Sequence, residues 1–353
     1  MSEAIISEAD AEARELLEDV VRIPSVTRNE AEAADRLVDF FEAHDREVWI
    51  DEVGNVRAPA DDGVLLTSHI DTVPGDIPVR VEETDDGEVL WGRGSVDAKG
   101  PLCSMAVAAV RTGASFVGVV GEEVDSKGGR FLVDDRDSEP DAVINGEPSG
   151  WEGITLGYRG LLGGTYVATS ESGHSSRPEN NAIQDALDWW AAVEDEFAKD
   201  EWHPVFERVT CKPVDFRGGT SDDGLSVEAT MEVQLRVPPE YTTDEIREMA
   251  DGHLGNGTVN WDDKVEPVMQ SPRTAVGRAF RTAIRDHGGD PTLLRKTGTS
   301  DMNVYAKAWD CPMVTYGPGD SDLDHAPNEH LPLDEYDRSV AVLETATERL
   351  LED

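Results

Sequence analysis

The chain has 353 residues and carries 31 Lys and Arg against 74 Asp and Glu, a formal net charge of −43. This charge argues against binding to nucleic acids or to anionic membrane surfaces, because both repel an acidic protein. A hydrophobic content of 38% still allows a buried core, so the chain is not expected to be disordered.

The first part of the chain alternates helical patterns with short apolar runs. Helices are expected at residues 8–18, 29–44 and 101–111, where apolar residues recur at helical spacing. Buried strands are expected at residues 63–69, 115–120 and 141–145, and a further strand at 47–51. Each of the three buried runs ends in polar residues, which is typical of strands whose carboxyl ends open on a site.

After Gly157 the pattern changes to strand, helix, two long strands, helix and strand, at residues 161–170, 182–198, 205–216, 225–237, 243–254 and 259–265. This β-α-β-β-α-β order is that of ferredoxin-like folds. From residue 274 helix, strand and helix resume, with the strand at 311–316. We therefore expect an α/β, mixed-sheet catalytic domain made of residues 1–157 and 272–353. The inserted α+β domain would span residues 158–271.

Cysteine usage and the N-terminus indicate the compartment. Cys103, Cys211 and Cys311 are far apart and form no C-x-x-C pair, which favours a reducing environment. The N-terminus has no signal-peptide pattern, and no apolar run approaches the roughly 20 residues of a membrane span. A soluble cytoplasmic protein is expected. Dispersed acid with few lysines resembles adaptation to high salt, and the halophilic habitat stays a hypothesis.

Histidine and acidic residues follow the predicted strands. His69 and Asp71 are two apart, so on an extended segment the carboxylate can orient the histidine as a metal ligand. The adjacent carboxylates of Glu122 and Glu123 repel each other unless a cation is near. A metal site could use two nitrogen and three carboxylate donors, from His69, Asp97, Glu123, Glu147 and His325. This donor set suits zinc, cobalt or manganese. If Asp97 bridges two metals, Glu122 is left as a general base.

Taken singly, these motifs have plainer explanations. A lone H-x-D can be a polar strand end, and the glycine-rich segment at 92–100 can be a turn before a helix. That segment lacks the G-K-[ST] order of a phosphate loop. A serine hydrolase is not indicated, because the chain has no G-x-S-x-G motif.

In combination, six sequence blocks resemble the di-metal aminoacylase and carboxypeptidase family, which includes acetylornithine deacetylase and succinyl-diaminopimelate desuccinylase. They cover nearly the whole chain in the order SHIDTVPG, GRGSVDAKG, GEEVDSKGG, NGEPSG, SGHSSRPENNAI and GDSDLDHAPNE. The resemblance implies two divalent metals, zinc or cobalt, one held by His69, Asp97 and Glu147. The other would be held by Asp97, Glu123 and His325.

The same resemblance implies roles for other residues. Asp71 would orient His69, Glu122 would be the proton shuttle, and the peptide bond after Asp97 would be cis. The inserted domain would form a homodimer, in which His174 reaches the partner's active site and stabilises the oxyanion. Arg236 would grip a substrate carboxylate. The alternatives are that His174 caps the next helix and that Arg236 is a surface arginine on a strand.

Two further segments, GYRG at 157–160 and RKTGTSDMN at 295–303, resemble the hydrolases of archaea and Thermus that release lysine or ornithine from the amino-group carrier protein LysW. Those enzymes cut the amide between the side chain of the carrier's C-terminal glutamate and the α-amino group of the amino acid. The resemblance implies substrate-binding roles for Arg159, Thr299, Ser300 and Asp301. Asp301 would pair with the distal ammonium of the released amino acid, and a helix-cap or turn role is its alternative.

The expected function is therefore release of ornithine, lysine or both from LysW in arginine and lysine biosynthesis. The alternatives are an N-acyl amino acid deacylase such as acetylornithine deacetylase, and a dipeptidase or carboxypeptidase. A non-catalytic binding protein on the same scaffold is disfavoured, because Glu122 and all five ligands are present. The carrier is itself acidic in that family, so we expect a local basic rim of Arg159, Arg177, Lys212, Arg217, Arg236, Arg295 and Lys296.

Overall fold

A computed structural model describes residues 8–85, 87–174, 176, 178–198 and 202–352, apart from the side chains of residues 8, 9 and 263. Its helices are α1 (Glu8–Arg22), α2 (Ala31–Ala43), α3 (Lys99–Thr112), α4 (Lys127–Asp135), α5 (Ala182–Glu196), α6 (Thr243–Asp251), α7 (Ala275–Asp286), α8 (Asp301–Ala308) and α9 (Leu333–Glu352). Its first eight strands are β1 (Trp49–Ile50), β2 (Val56–Ala58), β3 (Asp61–His69), β4 (Arg80–Thr84), β5 (Gly87–Trp91), β6 (Ala114–Val119), β7 (Val143–Gly146) and β8 (Gly153–Tyr158). The others are β9 (Gly160–Glu171), β10 (Thr210–Thr220), β11 (Ser226–Val237), β12 (Thr258–Val265), β13 (Val268–Met269), β14 (Thr292–Lys296), β15 (Met313–Tyr316) and β16 (His330–Pro332).

The chain divides into two compact units. The first consists of Met1–Leu156, Gln270–Leu294 and Ser300–Asp353, and the second of Gly157–Met269 and Arg295–Thr299. Within the described residues, no helix is both long and apolar enough to cross a membrane.

A mixed sheet forms the centre of the first unit. Its strands run in the order β1-β2-β6-β3-β7-β15-β8. β3 pairs in parallel with β6 and β7, and β7 with β15, whereas β2 pairs with β6 in the antiparallel sense. Apolar residues of β3, β6 and β7 belong to the buried core of this unit. Apolar runs of this kind are typical of parallel strands that are covered on both faces. The mixed-sheet α/β prediction for this part of the chain is confirmed.

The alanine-rich α3 packs into this core. Eleven of its residues, from Lys99 to Ala109, are buried. The small side chains of Ala106, Ala108 and Ala109 allow the backbone to come close to its neighbours, so the helix can be buried on nearly all sides. Because α3 starts two residues after Asp97, this helix anchors one end of the loop that carries a candidate ligand.

Several elements were absent from the sequence prediction. The hairpin of β4 and β5 and the helix α4 lie where charges and glycines obscure the periodicity. The predicted strand at 205–216 was wrong over its first residues, because Val205–Glu207 form a 3-10 turn and β10 begins only at Thr210. Pro204 directly precedes this turn, and its carbonyl accepts the N–H of Glu207 at 2.9 Å. Proline fixes φ near −65°, which favours a turn at this point.

The second unit is built on an antiparallel sheet in the order β10-β11-β9-β12. Along the chain, α5 follows β9, and α6 follows β11. The four strands and two helices therefore come in the order β9-α5-β10-β11-α6-β12. The predicted β-α-β-β-α-β order is therefore present in the structure. The core includes Tyr166 and Trp189, whose rings stack with centroids 4.6 Å apart.

Candidate metal centre

Three neighbouring strands of the first unit bring polar side chains to one edge of the sheet. β3 ends at His69, β6 is followed by Glu122 and Glu123, and β7 is followed by Glu147. The carboxyl ends of parallel strands meet at the same edge, so these side chains converge. Gly121 has a φ of +78°, a conformation that suits glycine, and it turns the chain between β6 and the two glutamates.

Asp97 lies between two histidines that come from distant parts of the chain. Its Oδ1 is 3.3 Å from Nε2 of His69, and its Oδ2 is 3.2 Å from Nε2 of His325. The side chain of Asp97 is 11% exposed, while that of His325 is 54% exposed. One carboxylate thus presents a separate oxygen to each histidine, which is the arrangement that a bridging ligand needs. The Asp97–Ala98 peptide bond is cis, as the resemblance implies.

Two more carboxylates complete the groups on either side of Asp97. Oε2 of Glu147 is 3.9 Å from Nε2 of His69, and Oε2 of Glu123 is 3.0 Å from Nε2 of His325. Ligand atoms of His69, Asp97 and Glu123 all lie within 4.8 Å of one another. The structure therefore brings together all five residues that the sequence nominates as ligands.

The electrostatics of this cluster suit a cationic occupant. Burial raises the pKa of Glu123 to about 7, and the Asp97 carboxylate adds to that shift. Burial also raises the pKa of Glu147 well above its ordinary value. Among the described residues, Oε1 of Glu123 is buried without a hydrogen-bond partner. Packing these carboxylates together out of water costs free energy unless a cation is present, and the nitrogen and oxygen donors fit divalent metals.

Glu122 is a buried carboxylate beside this cluster. Burial and the nearby Glu147 carboxylate raise the pKa of Glu122 well above its ordinary value, although His69 opposes the shift. A raised pKa brings a carboxylate closer to the range in which it can both accept and donate a proton near neutral pH.

Asp71 contacts both the histidine and the turn that bears the glutamates. Its backbone carbonyl is 2.9 Å from Nδ1 of His69, and its Oδ1 is 3.6 Å from the same nitrogen. Its carboxylate accepts the backbone N–H groups of Glu122 and Glu123, and the hydroxyl of Thr27 at 2.8 Å. The contribution of Thr27 was missed at the sequence level, because nothing in its surroundings in the chain indicates a distant carboxylate.

The start of α8 places a further acid in the first unit. The side chain of Ser300 caps this helix by accepting the N–H of Met302 at 3.2 Å. Asp301 is 1% exposed, and its Oδ1 has no hydrogen-bond partner among the described residues. Burial raises the pKa of Asp301 to about 6, although a hydrogen bond with the side chain of Ser126 lowers it. The helix-cap function therefore falls to Ser300.

In the second unit, Arg159 connects separate segments. Its guanidinium donates to the carbonyl of Thr297 at 2.9 Å and to Oγ1 of Thr210 at 2.9 Å. It also donates to the carbonyl of Arg208 at 3.3 Å. Burial, together with the charges of Arg236 and Arg208, lowers the pKa of Arg159 to about 10. Arg208 and Arg236 therefore lie within electrostatic reach of Arg159, and Arg208 was not predicted from the sequence.

The remaining predicted site residues also lie in the second unit. The guanidinium of Arg236 is 3.5 Å from Oγ1 of Thr299, and burial lowers the pKa of Arg236. His174 is exposed, and its Nδ1 lies 2.8 Å from Oγ of Ser176.

The chain is similar to known proteins both in sequence and in fold. The sequence model of the peptidase family M20/M25/M40 matches residues 65–349. A [LysW]-lysine hydrolase of Deinococcus radiodurans is 42% identical, over 96% of this chain and 97% of its own length. A [LysW]-lysine/[LysW]-ornithine hydrolase of Sulfurisphaera tokodaii is 30% identical, over 96% and 95%. The fold is similar to that of the YXEP protein of Bacillus subtilis, described as a dinuclear metal-binding peptidase, with a TM-score of 0.68, 14% identity and 98% of each chain covered.

Proposed function

The chain belongs to the peptidase family M20/M25/M40, and from that premise we propose that it is a metal-dependent amide hydrolase that releases lysine, ornithine or both from the carrier protein LysW. The observation that carries this proposal is the full-length similarity to the [LysW]-lysine hydrolase of Deinococcus radiodurans, at 42% identity. The cluster around Asp97 supports it, because its donor atoms fit a pair of divalent metals, for which we propose zinc or cobalt. Arginine and lysine biosynthesis in the cytoplasm is the corresponding setting.

The chemistry follows from the positions of the acidic groups. His69, Asp97 and Glu147 would hold one metal, and Asp97, Glu123 and His325 the other. Two such metals would polarise the amide carbonyl and lower the pKa of the attacking water. Glu122 takes the proton from that water and then donates it to the leaving amine. Asp71 holds the Glu122 carboxylate in place through the backbone of its turn.

Recognition of the amino acid requires a partner for its cationic side chain and one for its carboxylate. Asp301 is our candidate for the ammonium, because its buried Oδ1 has no hydrogen-bond partner within the described part of the chain. Arg236 is our candidate for the carboxylate, since no carboxylate pairs with it among the described residues. Arg159 would add positive charge near Arg236, and its guanidinium is held in place by the carbonyl of Thr297 and the hydroxyl of Thr210.

We propose a homodimer that is formed through the second unit. β10 is an edge strand of its sheet, and Val214 and Phe216 on this strand are 53% and 40% exposed. An edge strand has unpaired backbone groups that can pair with another strand, and such a pairing would cover these two apolar side chains. In such a dimer, the partner's His174 would donate a hydrogen bond to the developing oxyanion. Light scattering of the wild type and of Phe216→Glu tests the dimer, and a monomeric wild type would contradict it.

Docking of an acidic carrier needs local positive charge. Of the residues expected to form a basic rim, Arg217 pairs with Asp215 and Arg295 pairs with Glu207. Arg177 lies outside the described residues. The other predicted rim residues are Lys212, Lys296, Arg159 and Arg236, and Arg208, which was not predicted, adds positive charge near Arg159.

Product analysis tests the substrate. Metal-loaded protein is incubated with carrier-linked lysine, carrier-linked ornithine and acetylornithine, and the products are measured by mass spectrometry. We expect release of lysine, ornithine or both from the carrier. If only acetylornithine is hydrolysed, the carrier proposal is wrong and the deacylase alternative is correct. Hydrolysis of unmodified dipeptides alone would instead favour a peptidase.

A further inference from the structure

Glu329 is a fully buried acid whose four nearest partners lie in one loop. It is 0% exposed. Its Oε1 accepts the backbone N–H of Val96 at 2.9 Å and that of Asp97 at 3.0 Å. Its Oε2 accepts a hydrogen bond from the guanidinium of Arg93 at 2.8 Å. The N–H of Gly94 makes a third backbone hydrogen bond to the same carboxylate.

The loop that Glu329 contacts has no regular secondary structure to hold it. It connects β5, which ends at Trp91, to α3, which begins at Lys99. Within the loop, the N–H of Ser95 bonds to the carbonyl of Gly92 at 3.1 Å. The N–H of Lys99 bonds to the carbonyl of Gly94 at 2.8 Å. The first contact lies in the first half of the loop and the second connects the loop to the start of α3, and neither one involves Asp97.

The hydrogen bond that the Asp97 N–H donates to Glu329 therefore fixes the backbone from which the bridging carboxylate extends. A buried acid with a guanidinium and three N–H donors is stabilised as the anion, although burial itself raises the pKa of Glu329. A fold that needed only packing here could use an apolar residue, often at no loss of stability. The buried carboxylate of Glu329 instead binds the backbone of the segment that carries Asp97, which indicates that it controls the position of this ligand.

The segment that supplies Glu329 also supplies a ligand. His325 precedes it by four residues, and its Nε2 is 3.2 Å from Oδ2 of Asp97. The same short stretch thus places the histidine of the second metal and holds the carboxylate that this histidine faces. We infer that Glu329 is a positioning residue, which sets the distance between Asp97 and His325 and so tunes the affinity of the second metal. The inference rests on the proposed metal centre and is independent of the proposed substrate.

A matched control exists elsewhere in the first unit. Oδ1 of Asp51 accepts the N–H groups of Val53, Gly54 and Asn55, and its Oδ2 accepts from Arg57 at 2.8 Å. Asp51 therefore has the same combination of one carboxylate, three backbone N–H groups and one arginine, with the side-chain amide of Asn55 as a further donor at 3.1 Å, and its side chain is 8% exposed. It holds a turn that carries none of the five candidate ligands.

Calorimetric titration of the metal-free protein with Zn²⁺ alone tests the inference, using the wild type, Glu329→Gln and Asp51→Asn. We expect two binding sites in the wild type and in Asp51→Asn. In Glu329→Gln, one of the two sites should lose affinity by about 10- to 100-fold, in line with supporting contacts in other metal sites. Thermal melting of both metal-free variants measures the cost to the fold. Equal zinc affinity in Glu329→Gln and the wild type would overturn the inference, as would an equal loss in Asp51→Asn.

A second variant keeps the test decisive if Glu329→Gln does not fold. Arg93→Gln removes the ionic partner of Oε2 and leaves the backbone donors to Oε1 in place. It should weaken the same zinc site by a smaller factor, and wild-type affinity in this variant would overturn the inference. A wild type that binds no zinc would instead overturn the proposed metal centre, so the two failures are distinguishable.

Discussion

The carboxylate of Asp71 accepts the backbone N–H of Glu122, with 3.1 Å between Oδ1 and the nitrogen. Its second oxygen accepts the N–H of Glu123 at 3.2 Å. Asp71 follows β3, whereas the two glutamates follow β6, so one side chain links the ends of adjacent strands. Asp71 thereby positions both Glu122, the proposed proton shuttle, and Glu123, a candidate metal ligand.

Asp71→Asn should disrupt this link. The amide group would direct N–H donors at one of the two backbone N–H groups, so the turn must shift. We expect kcat/KM to fall by about 10- to 100-fold, as is typical when a contact that supports metal ligands is lost. Steady-state kinetics and measurement of bound metal check this result. Thr27→Val, which removes only the hydroxyl donor to Asp71, should have a much smaller effect, and wild-type activity in Asp71→Asn would contradict the proposed role.

Glu122→Gln separates proton transfer from metal binding. The substitution preserves size but removes the proton acceptor, so kcat should fall by about 10²- to 10⁴-fold. Both metals should remain bound, because Glu122 belongs to neither ligand set. The adjacent Glu123→Gln serves as the comparison, since it should lose metal as well as activity. Element analysis by mass spectrometry gives the metal content, and full activity in Glu122→Gln would exclude the mechanism.

Much of the first unit's site could be predicted from the sequence, because its signals are local. His69, Glu123 and Glu147 each follow a short apolar run, and parallel strands bring such ends to one edge. Asp97 lies in a loop without periodicity, and His325 follows no predicted strand. Those two were included as ligands for their residue types alone, and the resemblance to the family blocks assigned them to particular metals.

The supporting contacts could not be predicted, because they join residues that are far apart in the chain. Thr27 reaches Asp71 across 44 positions, and Glu329 reaches Asp97 across 232. Neither pairing leaves a pattern in the local sequence. A local pattern can also give a wrong prediction. Residues 205–207 were interpreted as the start of a strand, but Val205–Glu207 form a 3-10 turn, which Pro204 favours.

Asp301→Asn should make the stability of the metal-free protein less dependent on pH. The pKa of Asp301 is raised by burial from 3.8 to about 6, so between these values the folded protein binds more protons than the unfolded chain. The free energy of unfolding of the wild type should therefore fall as pH rises through this window. At pH 8 the buried charge should cost about 3 kcal/mol, which the asparagine avoids.

Thermal melting at pH 4 and at pH 8 checks this prediction. Asp301→Asn should melt at a higher temperature than the wild type at pH 8, and the gap should narrow at pH 4. A lower melting temperature for the variant at pH 8 would show that the ionised carboxylate has a stabilising partner. In the assay of carrier-linked lysine, the same variant should lose affinity for substrate if Asp301 binds the ammonium.

The net charge of −43 predicts how salt affects the reaction. An acidic carrier and an acidic enzyme repel each other at long range, and this repulsion slows their encounter at low ionic strength. The screening length falls from about 10 Å at 0.1 M salt to about 3 Å at 1 M. Contacts near Arg236 and Lys212 act over shorter distances and are less affected if they become buried. We therefore expect kcat/KM for carrier-linked lysine to rise with salt over this range.

The reason for that rise can be isolated with a small substrate. A short peptide that ends in glutamate linked through its side chain to lysine presents the same amide without the carrier's charge. If repulsion of the carrier is the cause, kcat/KM for the carrier should rise with salt more steeply than that for the peptide. Parallel rises would instead indicate that salt stabilises the enzyme itself, whose dispersed carboxylates also repel one another. A fall for the carrier alone would mean that attraction to the basic groups of the second unit dominates the encounter.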